Sequence, residues 1–243
     1  MLLIVLGCAK APPPVDSGGI DSGSRDTSDT ATAGDSGDTG GFSVPVEPGP
    51  CGAWAGVQGG GTTWTYEPTE AYVAAYGFDG SFTTTADGAG EEWTLRSVGR
   101  YDSDTGYISW DRTDTLRCDA EGAWFTHSES TGESLSGTST ISQVGMRHFE
   151  PGWLIRPASL ELGSAWSDDF TYSSEVNGVV ADDLAVHCDN TVVAAEAREL
   201  PVATLDALHV DFSCDNIKGP DGWLARHVGL VETDQELLTA FVP

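Results

Sequence analysis

The stretch Leu208-His-Val-Asp-Phe-Ser-Cys214 constrains the fold most, because it alternates apolar and polar side chains without a break. Successive side chains of an extended strand point to opposite faces, so its Leu, Val, Phe and Cys side chains share one face. This pattern predicts a strand with one buried side and one solvent-facing side. Residues 180–188 follow nearly the same pattern, and the interruption at Asp182 predicts a bulge or a sheet edge.

The rest of the chain from Cys51 onward has the same rhythm of short apolar segments separated by Gly, Asp and Asn. Segments of this kind, rich in β-branched and aromatic residues, are typical of antiparallel strands joined by tight turns. We therefore expect an all-β fold, one antiparallel domain over residues 51–243, with a short helix at residues 68–75 and Thr69 as its N-cap. The candidate strands are residues 62–67, 80–85, 92–98, 106–111, 115–119, 123–129, 135–148, 164–172, 179–188, 191–197, 207–215, 223–228 and 237–242.

Residues 8–50 have a different composition, in which Asp-Ser-Gly and Asp-Thr units recur at irregular spacing. Few of these side chains could be buried, so the conformational entropy of the chain outweighs any packing and a disordered acidic linker is expected. Gly34-Asp-Ser-Gly37 matches the string around the nucleophile of trypsin-like proteases. That chemistry needs a rigid oxyanion turn and a buried Asp–His pair, so we interpret the match as chance within a repeat.

The charge balance excludes one class of partner. The chain has 11 Lys and Arg against 38 Asp and Glu, a formal net charge of −27. Nucleic acids are bound mainly through Lys and Arg contacts to phosphates, so no nucleic-acid partner is expected. We also expect a monomer that needs no cofactor and no metal.

The first eight residues resemble the lipobox of bacterial lipoproteins: Val5-Leu6-Gly7-Cys8 gives an aliphatic residue, a variable position, a small residue and a cysteine. Residues 1–7 then form a short, truncated signal peptide, and Cys8 is the lipidated residue that ties the protein to a membrane. Ala9 in place of Asp implies the outer membrane, with the domain periplasmic or surface-exposed. The alternative is an apolar N-terminal strand with a free thiol.

Four stretches resemble a bacterial envelope domain family of unknown function. Gly61-Thr-Thr-Trp-Thr-Tyr66 resembles its "G-x-x-W-x-Y" start, and Pro157 to Trp166 fits its "P-x-x-L-x-x-G-x-x-W" pattern. Residues 200–210 resemble its "V-P-A-G-T-F-D-A-L-R-V" hairpin, and residues 223–232 its "W-Y-A-x-G-V-G-L-V-K" strand pair, with turn differences at residues 202–204 and 226–227. The resemblance implies a strongly curved antiparallel sheet, a half-barrel like that of the lipoprotein carriers of the Lol system. It implies no activity.

The four remaining cysteines are an even number in a domain that we expect to be exported, which favours disulfides. Three pairings are possible. We favour Cys188–Cys214, because both lie on the apolar faces of well-patterned strands and each is followed by Asp, which leaves Cys51–Cys118. A metal site of Cys188 with His187 is the alternative, although adjacent residues of a regular strand point apart.

Eight tryptophans spread through the domain are the remaining candidates for function. Most of them would fill a core, but some could line a concave sheet face and contact a lipid-like ligand; the candidates are Trp64, Trp93, Trp110 and Trp124. The first hypothesis is therefore a non-enzymatic lipoprotein that binds an apolar ligand or an envelope partner. The alternatives are a structural or surface-display module without a small-molecule ligand and, with least support, an envelope hydrolase.

Two further motifs have simpler interpretations. Asp102-Ser-Asp-Thr-Gly106 opens like a calcium loop but has Gly106 where the third acidic ligand would stand, so it predicts a hairpin turn. His209 and Asp211 share the polar face of one strand, and no Gly-x-Ser-x-Gly elbow accompanies them in the domain. We expect both to be solvent-facing residues.

Overall fold

The computed structural model describes residues 43–219 and 221–243. The predicted signal peptide, the lipidated Cys8 and residues 8–42 of the predicted linker lie outside this part of the chain. Residues 43–50, the end of the predicted linker, are described, and Gly49 forms an isolated β-bridge with Gly52.

Twelve strands and one helix make up the described part of the chain. In chain order they are β1 (Thr63–Pro68), α1 (Glu70–Tyr76), β2 (Asp79–Ala89), β3 (Glu92–Ser103), β4 (Gly106–Asp119), β5 (Gly122–Ser136), β6 (Ser139–Pro157), β7 (Ala165–Val176), β8 (Val179–Glu199), β9 (Thr204–Cys214), β10 (Gly222–Ala225), β11 (Gly229–Glu232) and β12 (Glu236–Val242).

The sheet is antiparallel and closes into a barrel, in which each strand pairs with its neighbours in sequence and β1 pairs with both β2 and β12. The predicted all-β antiparallel class is confirmed, and the expected curvature continues to full closure. Closure gives every strand two hydrogen-bonded neighbours, although β6 and β7 pair only over residues 145–150 and 171–176.

Two of the strands each join two of the segments that the sequence pattern predicts. Residues 106–111 and 115–119 join into β4, and residues 179–188 and 191–197 join into β8. β4 continues through its polar middle because Arg112 and Asp114 lie on one face and form an ion pair of 2.9 Å, which makes their partial burial tolerable. The predicted bulge near Asp182 is confirmed: the β7–β8 register shifts between Ser174 and Glu175, and the Ser174 hydroxyl donates to Asp182.

The predicted short helix is also confirmed. The Thr69 hydroxyl accepts the backbone N–H of Tyr72 at 3.2 Å, as an N-cap does, and Gly77 ends α1 in the left-handed conformation with its N–H bonded to the Val73 carbonyl.

Two hydrophobic clusters fill the interior and meet at Phe125 and Ile155, which pack against both. The first includes buried residues of the segment before β1, among them Cys51 and Val57. Cys51 is bonded to Cys118 at the end of β4, so this segment packs against one end of the barrel. The other predicted disulfide, Cys188–Cys214, joins directly paired residues of β8 and β9. Both predicted pairings are confirmed.

The segment before β1 is fitted to the barrel through backbone contacts at Gly56. A Cβ added there would lie 2.1 Å from the carbonyl oxygen of Val228, and its φ of +76° disfavours other residues. We expect Gly56→Ala to lower the free energy of unfolding by about 1–3 kcal/mol more than Gly77→Ala. Gly77 has a similar φ of +70° but open space around it, so the difference isolates the clash. Urea denaturation measures this difference in the free energy of unfolding. Equal losses in the two variants would contradict the close packing of Gly56 against the Val228 carbonyl.

Candidate functional site

The predicted ligand-lining tryptophans fall into two environments. Trp64, Trp93 and Trp110 are only 4 to 6% exposed. Trp64 packs on Phe241, and its Nε1 donates to the Val228 carbonyl at 2.6 Å. Trp110 packs on Phe82 and Tyr101. These three side chains are therefore almost completely shielded from solvent.

Trp124 is separated from the other three. It is half-buried, its Nε1 donates to Asp119 at 3.0 Å, and the guanidinium of Arg117 lies 4.9 Å from its ring centroid. This is a cation–π contact between neighbouring strands, because Trp124 pairs with Arg117 across β4 and β5.

A small set of buried polar groups lies beside the first hydrophobic cluster. The Tyr66 hydroxyl donates to the Leu230 carbonyl at 2.8 Å, and burial followed by the charge of Glu236 raises the pKa of Tyr66 well above its usual range. Arg156 is buried and donates to the Ile155 carbonyl at 2.6 Å. Burial lowers the pKa of Arg156 to about 10, a shift that nearby Tyr66 partly offsets. Arg156 nevertheless stays charged at neutral pH.

A second polar set lies beside the other cluster. Asp168 and Asn190 come from the paired strands β7 and β8, two positions apart along the ladder, and are 9% and 1% exposed. Within residues 43–219 and 221–243, Asp168 Oδ2, both amide atoms of Asn190 and Trp153 Nε1 have no hydrogen-bond partner. Burial, helped by the charges of Asp169 and Glu121, raises the pKa of Asp168 to about 6 from its usual 3.8.

This raised pKa predicts that the free energy of unfolding depends on pH. Because the folded state holds the Asp168 proton more tightly than the unfolded state, stability falls as pH rises from about 4 to about 6 and stays lower above it. We expect Asp168→Asn to gain stability relative to wild type over this interval, with an upper limit of about 3 kcal/mol. Urea denaturation between pH 4 and 8 measures it, with exposed Asp183→Asn as the control. Parallel curves for Asp168→Asn and wild type would contradict the burial of a carboxyl group at this position.

A surface pocket of about 350 Å³ opens beside β9, β10 and β11. His209 stacks on Trp223 with ring centroids 4.8 Å apart, and Arg198 lies 4.5 Å from the Trp223 ring while binding Glu232 through two nitrogens. The contacts with Trp223 and Glu232 therefore fix the orientation of the His209 ring and of the Arg198 guanidinium. The pocket is lined by His209, Trp223 and Glu232, together with Lys218, Asp221, Gly222, Thr233 and Asp234.

The most exposed group of apolar residues lies at the ends of the β5–β6 and β7–β8 hairpins. We name it the aliphatic tip; its members, 40 to 68% exposed, are Ile141, Val144, Val176, Val179 and Val180. The two hairpins are tied together there, because the Val144 N–H donates to the Asn177 side chain and the Asn177 N–H donates to the Val144 carbonyl. The tip is at the opposite end of the strands from the Cys51–Cys118 disulfide.

The simpler sequence interpretations agree with the structure. Residues 103–106 form the β3–β4 turn, with Ser103 and Gly106 paired, and Asp211 is exposed. His209 is half-buried against Trp223 rather than free in solvent, because the two residues are paired across β9 and β10. Sequence reasoning missed the aliphatic tip, because the alternation in residues 180–188 groups Val180 with the buried face, whereas Val180 is 64% exposed.

No set of three or more His, Cys, Asp or Glu side chains in the described ranges is arranged to hold a metal ion. In the same ranges, no helix is long and apolar enough to cross a membrane. Comparison with protein-family models, curated proteins and solved structures yields no match to this chain.

Proposed function

We propose that this chain is a non-enzymatic, lipid-anchored protein of the bacterial outer membrane whose barrel binds another envelope protein through the aliphatic tip. The anchor is Cys8 with the acidic linker that follows it, as the lipobox-like sequence suggests. Proteolytic maturation at Cys8 and its acylation are part of this proposal.

The observation that carries the choice of a protein partner is the burial of the interior tryptophans. An internal site for a lipid-like ligand would leave its lining side chains accessible to a water-sized probe when it is empty. Trp64, Trp93 and Trp110 are 4 to 6% exposed because they pack on the protein's own side chains. This favours a contact on the surface over a ligand carried inside.

The aliphatic tip supplies such a surface. Exposed apolar side chains concentrated at one end of a fold are typical of interaction sites. By strand alternation Val176 and Val179 share one face of the sheet and Val144 and Val180 the other, so the tip presents apolar side chains on both faces of the hairpin ends.

The hairpins that carry the tip also carry Glu133, Glu175, Asp182 and Asp183, and Glu175 pairs directly with Val180. In a chain of net charge −27, an apolar centre with acidic neighbours fits a partner that has apolar side chains ringed by Lys or Arg.

Four of the five described histidine side chains contact groups other than a serine hydroxyl. His127 contacts His148 and Glu129, His187 contacts Asp169 and Asp189, and His209 stacks on Trp223. A hydrolase of the serine type needs instead a histidine that accepts a proton from a serine hydroxyl.

A photo-crosslinking amino acid placed at Val179 tests the tip in intact cells. We expect one dominant adduct to an envelope protein whose crosslinked surface is apolar with a basic rim. The matched control is Val193, an aliphatic residue of the same strand that is 49% exposed but far along it from the tip. Equal adducts at both positions, adducts only to lipid, or no adduct at Val179 would contradict the proposal.

A further inference from the structure

We infer that His127 and His148 form a binding site for a divalent transition-metal ion of tetragonal geometry, with Cu²⁺ as the preferred ion. The two residues are directly opposite each other on β5 and β6. They are brought into line where the β5–β6 ladder shifts register between Phe125 and His127, because one residue of β5, Thr126, lies opposite residues 149–152 of β6.

The two Nδ1 atoms are 3.0 Å apart, and the ring centroids are 4.3 Å apart with an angle of 37° between the planes. A linear N–H···N hydrogen bond of this length would place the centroids more than about 5 Å apart. The rings are therefore inclined to each other rather than end to end, and an ion placed beside the pair can lie within bonding distance of both Nδ1 atoms. Two nitrogens within reach of one ion are what a shared metal ion requires.

Glu129 prepares His127 for this role. Its Oε1 lies 3.1 Å from His127 Nε2, so the Nε2–H donates to the carboxylate and the Nδ1 atom carries the free lone pair. A carboxylate bonded to the far nitrogen of a metal-binding imidazole fixes the ring and raises its basicity. Glu129 is thus a positioning residue, while the two imidazoles are the ligands.

The separation of the nitrogens selects the metal. With metal–nitrogen bonds of about 2.0–2.1 Å, nitrogens 3.0 Å apart subtend about 94° at the metal. That angle suits two adjacent corners of the square-planar or tetragonal arrangement of Cu²⁺, whereas tetrahedral Zn²⁺ would need the nitrogens about 3.3 Å apart. Cu²⁺ also binds nitrogen ligands most tightly among the divalent ions of its row. Water or a small anion would fill the other positions.

The two histidines are accessible to solvent, and the negative electrostatic potential of the protein attracts cations. His148 is exposed, the His127 side chain is 25% exposed, and the chain has a net charge of −27. A metal ion can therefore reach the pair without any rearrangement of the barrel.

Titration of the purified full chain with Cu²⁺, followed by calorimetry and electron paramagnetic resonance, tests the inference. We expect one site with the spectral signature of two nitrogen ligands. His148→Asn and His127→Asn should each weaken it at least about 10-fold and remove that signature, and Glu129→Gln should weaken it about 10-fold with the signature kept. Zn²⁺ should bind less tightly than Cu²⁺.

His187→Asn is the matched control, since His187 is also a strand histidine bonded to carboxylates but has no imidazole opposite it. Thermal unfolding of each metal-free variant confirms that the fold is kept, which the partial exposure of both rings makes the expected result. A wild-type titration that superposes on that of His148→Asn, or an equal loss in His187→Asn, would overturn the site.

Discussion

Removing the Cys51–Cys118 disulfide as Cys51→Ala/Cys118→Ala is expected to lower the free energy of unfolding by about 4 kcal/mol. The bond closes a sequence separation of 67 residues, and opening it restores that much freedom to the unfolded chain. The double substitution also releases the segment before β1. Cys51 and Val57 of this segment are buried in the same hydrophobic cluster as Cys118, at one end of the barrel. Urea denaturation of the non-reduced protein measures the loss.

The second disulfide is the internal control. Cys188 and Cys214 are 26 residues apart in sequence and directly paired in the β8–β9 ladder, which persists without the bond. The chain-entropy model gives a smaller loss of about 3.5 kcal/mol for Cys188→Ala/Cys214→Ala. If the Cys51/Cys118 variant proved the more stable of the two, the tight packing of the N-terminal segment would be wrong.

Trp64→Ala is expected to cost about 3–5 kcal/mol, the range for removing a large aromatic side chain from a packed interior. The substitution opens a cavity beside Phe241 and leaves the Val228 carbonyl, which accepts from Nε1 at 2.6 Å, without its donor. Thermal or urea unfolding measures the effect.

Trp124→Ala provides the comparison, because this half-buried ring contacts Arg117 and Asp119 instead of the core. We expect a cost of about 1 kcal/mol, mainly from the lost cation–π contact and hydrogen bond. Similar costs for both tryptophans would show that Trp64 is not packed as described, and would restore the possibility of a ligand beside it.

Most strands, the helix and the Cys188–Cys214 disulfide were predictable because each depends on local pattern, whereas residues 135–148 were expected to form one strand and are divided by the β5–β6 turn. Alternation in residues 208–214 sets β9, and Thr69 has the side chain that caps α1. The Cys188–Cys214 pairing followed from their positions on apolar strand faces, and Cys51–Cys118 was the pair that remained. Closure of the barrel was not predictable, because it depends on the pairing of β1 with β12, which are far apart in sequence. Nothing in the residue pattern of either strand indicates that the two pair.

The candidate sites depend on the same long-range geometry. His127 and His148 are 21 residues apart, and the register of the β5–β6 ladder decides whether they face each other or opposite sides of the sheet. Asp168 and Asn190 are ordinary polar residues in sequence, and only the barrel makes them interior. Arg112 and Asp114 misled the strand assignment for a related reason, since two charges in a strand look like a turn until their ion pair is known.

Native mass spectrometry of the Cys8→Ser protein, purified from cells with intact envelopes, tests the central claim most directly. This variant removes the anchor acyl chains that we propose, so any lipid that remains is a bound ligand. A barrel filled by its own side chains predicts the mass of the polypeptide alone. A stoichiometric lipid that survives purification would contradict the account and establish the barrel as a carrier of apolar cargo.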